Sequence, residues 1–143
     1  MDATGLSTAE LIRPVVALVA LTGVVWALMV VVRNAAVFRG LASVGYYRGY
    51  TGQTPPEWIE RPARAFMNLL EVPVLFYVLC VLMLVTQRFD ATQVTLAWTF
   101  VAIRAAHAAV HIAWNDVRVR FAAYLTGCLV LAAMWMRFAA AVA

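Results

Sequence analysis

The chain has 143 residues, of which 65% are hydrophobic and 13% are charged, and its formal net charge is +4. Soluble domains carry about 25% charged residues, and a chain of this length has too little interior to hide so much apolar surface from water. The composition therefore excludes an ordinary soluble domain and predicts one domain embedded in a membrane.

The first apolar segment contains 18 uncharged residues, 15–32, which is about the minimum for a helix that spans a bilayer. It is long for the apolar core of a signal peptide, and the acidic residues Asp2 and Glu10 precede it where basic residues are usual. We interpret it as a retained first span over residues 11–33.

Three more apolar segments predict spans over residues 62–86, 91–114 and 118–138. Because the turns after the second and third spans are short, sequential helices are expected to be antiparallel neighbours in an all-α, up-and-down four-helix bundle. The connection over residues 34–61 is the one long loop. Its glycines and its Thr-Pro-Pro step interrupt helices, and its Tyr, Trp and Arg residues suit the membrane interface.

The basic residues are eleven arginines, which lie mainly at the ends of the spans rather than in a basic stripe, so no nucleic-acid partner is expected. Seven lie on the side of the long loop and three on the other side. The positive-inside rule therefore predicts that loop 34–61 is cytoplasmic and that both termini lie on the opposite side. The seven are Arg33, Arg39, Arg48, Arg61, Arg64, Arg118 and Arg120, and the three are Arg13, Arg88 and Arg137.

Polar residues inside the last three spans recur at intervals of three and four, so those of one span lie on one helix face. Eight of them converge on the cytoplasmic half of the predicted bundle, whereas the outer segments LFYVLCVLMLV and CLVLAAMWM have almost none. This concentration predicts a binding site. The set comprises Arg64, Asn68 and Glu71 in the second span, Arg104, His107 and His111 in the third, and Arg120 and Tyr124 in the fourth.

Two opposite charges of this set are predicted to form a structural ion pair. At a rise of about 1.5 Å per residue, Glu71 and Arg104 lie about 14 Å and about 15 Å from the cytoplasmic ends of their spans. Either charge alone is costly in hydrocarbon, so we expect the two to neutralise one another. The pair taken alone fits a structural clamp equally well, and a single histidine or arginine is more often a contact between helices or an interface anchor.

Two segments resemble the MAPEG family, the membrane-associated proteins in eicosanoid and glutathione metabolism. RAFMNLLEVPVLF, residues 64–76, is similar to the family's second-helix signature, R-A-x-x-N-x-x-E followed by P and F. RAAHAAVHIAWNDVRVRFAAY, residues 104–124, resembles the third and fourth helices of its prostaglandin E synthase branch, and the separation of 33 residues between Glu71 and Arg104 also matches. The resemblance covers nearly the whole chain.

The resemblance implies a homotrimer of four-helix protomers that binds glutathione as a co-substrate between adjacent protomers, near the cytoplasmic face. The second substrate would be a lipophilic small molecule that arrives through the bilayer. Arg120 would be catalytic, by stabilising the glutathione thiolate, and Arg104 would brace Glu71. The residues implied for glutathione binding are Arg64, Asn68, Glu71, His107, His111, Tyr124 and, by a looser match, Arg33.

The chemistry of glutathione agrees with these residue types. Its two carboxylates suit guanidinium groups, which can bind a carboxylate through two parallel hydrogen bonds. Its thiol, with a pKa of about 8.5 when free, ionises more readily beside a cation, and arginine stays protonated at working pH.

Two positions depart from the family pattern. His111 stands where these relatives usually have tyrosine, and its charge would respond to pH. Phe121 stands where the prostaglandin synthase branch has a serine. We therefore predict a transferase or peroxidase acting on lipophilic electrophiles rather than a prostaglandin isomerase.

Two other functions fit parts of the sequence. One is a non-catalytic membrane protein on the same scaffold, such as an accessory subunit of a larger complex. The other is a haem or metal site using His107 and His111, for which no third ligand is evident. Cys80 and Cys128 lack the spacing of a metal or redox motif, and we expect them to be buried free thiols.

Overall fold

The computed structural model describes residues 7–143, so that Asp2 lies outside the described residues. The described chain is all-helical, and four of its helices are long and apolar enough to cross a membrane. This confirms the predicted all-α bundle with four spans. The helices are α1 (Thr8–Phe38), α2 (Val44–Gly49), α3 (Glu57–Thr86), α4 (Ala91–Ala113) and α5 (Val117–Val142).

Helices α3 and α4 form the centre of the bundle, since each contacts the three other long helices. Helix α1 packs mainly on α3, and α5 packs mainly on α4. In the core, the rings of Phe76 and Phe100 stack with their centroids 4.9 Å apart. Many large apolar side chains on the outward faces remain exposed, as expected for helices that face lipid.

Helix α3 begins at Glu57, five residues before the predicted start at Pro62. A proline lacks the backbone N–H that later helical positions donate, so it is most easily accommodated in the first turn of a helix. The structure instead has a further turn before it, with Pro56 as the N-cap. As a result, Glu60 lies one turn before Arg64 on the same helix.

The connection between α1 and α3 contains regular structure that the sequence analysis missed. Ser43 caps the short helix α2 by accepting a hydrogen bond from the backbone N–H of Tyr46 at 3.0 Å. Ala42 in the loop joins Ala36 of α1 and Ile59 of α3 in a small buried apolar cluster. This cluster holds the loop against the ends of both spans.

The last two helices approach closely and are joined by a tight turn. A Cβ atom at Gly127 of α5 would lie 3.4 Å from Ile103 Cγ2 of α4. In the turn, Asn115 has a φ of 54°, a left-handed conformation that asparagine tolerates better than most residues. The carboxylate of Asp116 then caps α5 by accepting hydrogen bonds from the N–H groups of Arg118 and Val119, at 2.9 and 3.0 Å.

Candidate functional site

Two open cavities lie on either side of Asn68, at the end of the bundle that carries α2. The first, here called the Arg120 cavity, has a volume of about 230 Å³ and is lined by Asn68, His107, Val117, Arg120, Phe121 and Tyr124. The second, here called the Arg64 cavity, has a volume of about 380 Å³. It is lined by Arg33, Tyr46, Tyr50, Glu60, Ala63, Arg64, Met67, Asn68 and Glu71.

The predicted site residues are thus divided between two adjoining spaces. His107, Arg120 and Tyr124 line the Arg120 cavity, and the rings of His107 and Tyr124 lie 6.2 Å apart. Arg33, Arg64 and Glu71 line the Arg64 cavity, and Asn68 lines both cavities.

His111 lines neither of the two cavities, although it was predicted to bind the ligand. Its side chain is 6% exposed, and neither ring nitrogen has a hydrogen-bond partner in the described chain. Its ring lies one helical turn beyond His107, with the two centroids 5.8 Å apart. His111 is therefore buried inside the bundle, one helical turn from His107.

The ion pair predicted between Glu71 and Arg104 is not formed, and this is a correction to the sequence analysis. Arg104 is 0% exposed, and its guanidinium donates to the backbone oxygen of Asn68 at 2.8 Å and to the Asn68 side-chain oxygen. Glu71 is exposed and faces the Arg64 cavity. Asn68, which accepts the hydrogen bonds of Arg104, precedes the predicted partner Glu71 by three residues, or about 4.5 Å along the helix axis. A long arginine side chain spans that distance, so equal depth of the two Cα atoms does not decide its partner.

Arg120 is held by a hydrogen-bonded chain that crosses from α5 to α3. Its guanidinium donates to the side-chain oxygen of Asn115, and the Asn115 amide donates to the carboxylate of Glu57. Nearby, Arg61 donates to the backbone oxygen of Ala113 at 3.1 Å and lies 3.6 Å from Glu57. The first turn of α3 thereby fixes the turn between α4 and α5, and with it the position of Arg120.

Arg33, which was expected to bind the ligand, forms an ion pair with Glu60, a residue outside the predicted set. Its guanidinium lies 2.6 Å from the Glu60 carboxylate and 4.8 Å from the centroid of the Tyr47 ring. Burial, followed by the nearby Glu60 carboxylate, raises the pKa of the Tyr47 phenol above its ordinary value of 10.0. The ion pair forms one wall of the Arg64 cavity.

A sequence signal for Glu60 was present, since the spacing of Arg64, Asn68 and Glu71 extends back by four residues to Glu60. It was missed because the helix was expected to begin at Pro62. No comparable signal marks Tyr46 and Tyr50, which reach the cavity from the loop.

The chain matches one protein family over most of its length. A protein-family model described as MAPEG family matches residues 11–140 of the 143-residue chain. The chain belongs to the MAPEG family. No curated protein and no solved structure matches it. With its four apolar helices, this MAPEG protein is an integral membrane protein of the family of glutathione and eicosanoid metabolism.

The cysteines and histidines of this MAPEG protein do not form a metal site within the described residues. Cys80 is a buried free thiol, and Cys128 is a half-buried one. Within residues 7–143, no group of three or more His, Cys, Asp or Glu side chains is placed to hold a metal ion. His107 and His111 lie on the same helix, so they cannot bind opposite faces of one haem.

Proposed function

We propose that this MAPEG protein is a glutathione-dependent transferase or peroxidase that acts on lipophilic electrophiles. The observation that supports the proposal most is that the Arg120 guanidinium shares a cavity with Asn68, His107 and Tyr124. From Asn68 the polar surface continues into the Arg64 cavity. Together the two cavities offer cations and hydrogen-bonding groups that suit a charged tripeptide.

The Arg64 cavity has the groups needed for the charged end of glutathione that bears both an ammonium and a carboxylate. In the proposed complex, Arg64 binds the carboxylate and Glu71 accepts hydrogen bonds from the ammonium. Asn68 binds the peptide backbone at the junction of the two cavities. Arg104 is buried and acts as a positioning residue, because its two hydrogen bonds fix Asn68.

The thiol lies in the Arg120 cavity, where the guanidinium stabilises the thiolate. In the transferase reaction, the thiolate forms a carbon–sulphur bond with the electrophile, and the leaving group departs with the bonding electrons. In the peroxidase reaction, the thiolate attacks a hydroperoxide oxygen, and the O–O bond breaks to release an alcohol after protonation. A second glutathione then displaces water from the sulphenic acid, forming the disulphide.

The apolar substrate reaches the thiolate from the bilayer. Phe121 is 64% exposed and Val117 is also exposed, so both give the Arg120 cavity an apolar edge. Phe121 has no hydroxyl to take the place of the serine of the prostaglandin synthase branch, which favours conjugation or peroxide reduction over prostaglandin isomerisation.

Both cavities are open rather than enclosed within the single chain, which leaves room for a second copy to complete them. We therefore include a homotrimer in the proposal, with glutathione bound between adjacent protomers. The arginine distribution supports an orientation with loop 34–61 in the cytoplasm and both termini on the opposite side.

The proposal is tested by turnover of glutathione with an aryl halide and with a lipid hydroperoxide, using the purified protein in detergent. Arg120→Ala is expected to lower turnover about a hundred-fold and to abolish the ultraviolet absorbance of the bound thiolate. The matched control is Arg118→Ala, an exposed arginine of the same helix that lines neither cavity. Absence of turnover and of thiolate absorbance in the folded wild-type protein would overturn the proposal in favour of a non-catalytic role.

A further inference from the structure

A third open cavity lies at the end of the bundle opposite α2, between the beginnings of α1 and α4, and has a volume of about 340 Å³. Two residues of α1 supply its charged groups, Glu10 and Arg13. Helix α4 supplies small and apolar side chains together with Trp98. None of the residues proposed to bind glutathione lines this cavity.

The two charges of this cavity do not neutralise one another. Glu10 and Arg13 are three residues apart on one helix, a spacing at which opposite charges commonly pair. Yet neither takes part in a salt bridge within the described part of the chain. Glu10 Oε2 is buried and has no hydrogen-bond donor there, which costs free energy unless a ligand supplies one. Arg13 is exposed beside it.

We propose that this cavity binds the headgroup of a phospholipid that carries a phosphate and a primary ammonium, as phosphatidylethanolamine does. The phosphate binds the Arg13 guanidinium, and the ammonium donates hydrogen bonds to Glu10. The complex contains two positive and two negative charges, so it is neutral overall. Its position suits a lipid, because the lining residues lie in the first two turns of two spans, and the ends of spans are expected at the headgroup layer.

The surroundings of the two charges support the same ligand. Trp98 is 43% exposed at the cavity, and tryptophan is enriched at the level of lipid headgroups. Beyond Arg13 along α1, Val16 and Val19 are exposed and offer an apolar surface for acyl chains. A phosphatidylcholine headgroup has no N–H to donate to Glu10, and phosphatidylglycerol has no cation. The cavity therefore discriminates among the three headgroups.

The test is native mass spectrometry of the full-length protein in detergent, titrated with short-chain phosphatidylethanolamine, phosphatidylcholine and phosphatidylglycerol. The wild-type protein is expected to bind one phosphatidylethanolamine per chain, about ten-fold more tightly than the other two lipids. Glu10→Gln should abolish this preference. Arg13→Gln should weaken the binding of all three lipids, because each has a phosphate. Arg13→Lys, which keeps a positive charge, should retain part of this binding.

The control is Arg88→Gln, which removes an exposed arginine at the same end of the bundle but outside the cavity. Equal binding of the three lipids by the wild type, or cavity variants that behave like Arg88→Gln, would overturn the proposal. A change in oligomer mass in Glu10→Gln, with unchanged lipid binding, would also overturn it and would indicate that another copy of the chain covers the cavity.

Discussion

Arg104 donates hydrogen bonds to both the backbone oxygen and the side-chain oxygen of Asn68, and so fastens α4 to α3 at the junction of the two cavities. The guanidinium is fully buried, and no carboxylate of the described chain forms a salt bridge with it. Its remaining nitrogens, Nε and Nη1, have no hydrogen-bond partner within that part of the chain. Arg104 therefore orients the Asn68 side chain, and Asn68 in turn supplies the hydrogen-bond acceptors for the buried Arg104 guanidinium.

This mutual dependence predicts strong coupling between Arg104 and Asn68. Asn68→Leu should lower the free energy of unfolding by about 1.5–3 kcal/mol, because it removes a hydrogen bond to a buried charge. The double variant Asn68→Leu with Arg104→Met should be less destabilised than the sum of the single variants. The measurement is unfolding of all four proteins in mixed micelles. Strictly additive effects would show that the two side chains act independently.

The chain of hydrogen bonds from Glu57 through Asn115 to Arg120 predicts that Asn115 is a positioning residue. Asn115→Gly keeps the left-handed backbone but removes the amide that holds Arg120. If glutathione is the substrate, kcat should fall about ten-fold with a smaller change in KM. Asn34→Ala is the matched control, since the exposed Asn34 amide donates only to Val30 of its own helix. Equal kinetics for the two variants would show that Asn115 does not position Arg120.

The ion pair between Arg33 and Glu60 is expected to hold the loop between α1 and α3 against the bundle. Glu60→Gln should raise the rate of trypsin cleavage at the exposed residues Arg39 and Arg48 about ten-fold, because the charge-assisted hydrogen bond is weakened. Glu57→Gln, which removes an exposed carboxylate from the same first turn of α3, is the control. Unchanged cleavage in Glu60→Gln would mean that the apolar cluster alone anchors the loop.

The raised pKa of Tyr47 predicts that the loop between α1 and α3 is held less firmly at alkaline pH. Its pKa is raised in the folded protein, chiefly by burial, so folding favours the neutral phenol. The resulting stabilisation is fully present below the ordinary pKa of 10.0 and is lost as the pH rises through the higher folded value. Spectrophotometric titration of tyrosinate, compared with that of Tyr47→Phe, should reveal one phenol that ionises late. A difference curve centred at the ordinary value would contradict this prediction.

The spans were predictable because lipid imposes long apolar segments, and spacings of three and four placed most polar residues on shared faces. Helix α2 was not, since it has only six residues, too few to show a helical period. The pairing of Arg33 with Glu60 joins residues 27 apart through the fold of the loop, which no local pattern encodes. The pairing of Arg104 with Asn68 instead of Glu71 was not predictable from depth along the helices. It depends on the length of the arginine side chain and on the outward direction of the Glu71 side chain.

The central claim is that Arg120 and Asn68 belong to a glutathione site, and calorimetric titration of reduced glutathione into the purified protein tests it most directly. Saturable binding is expected for the wild type and for Arg118→Ala, with binding weakened about ten-fold or more in Arg120→Ala and in Asn68→Ala. No binding by a folded, homogeneous wild-type sample, or equal binding by all four proteins, would contradict it.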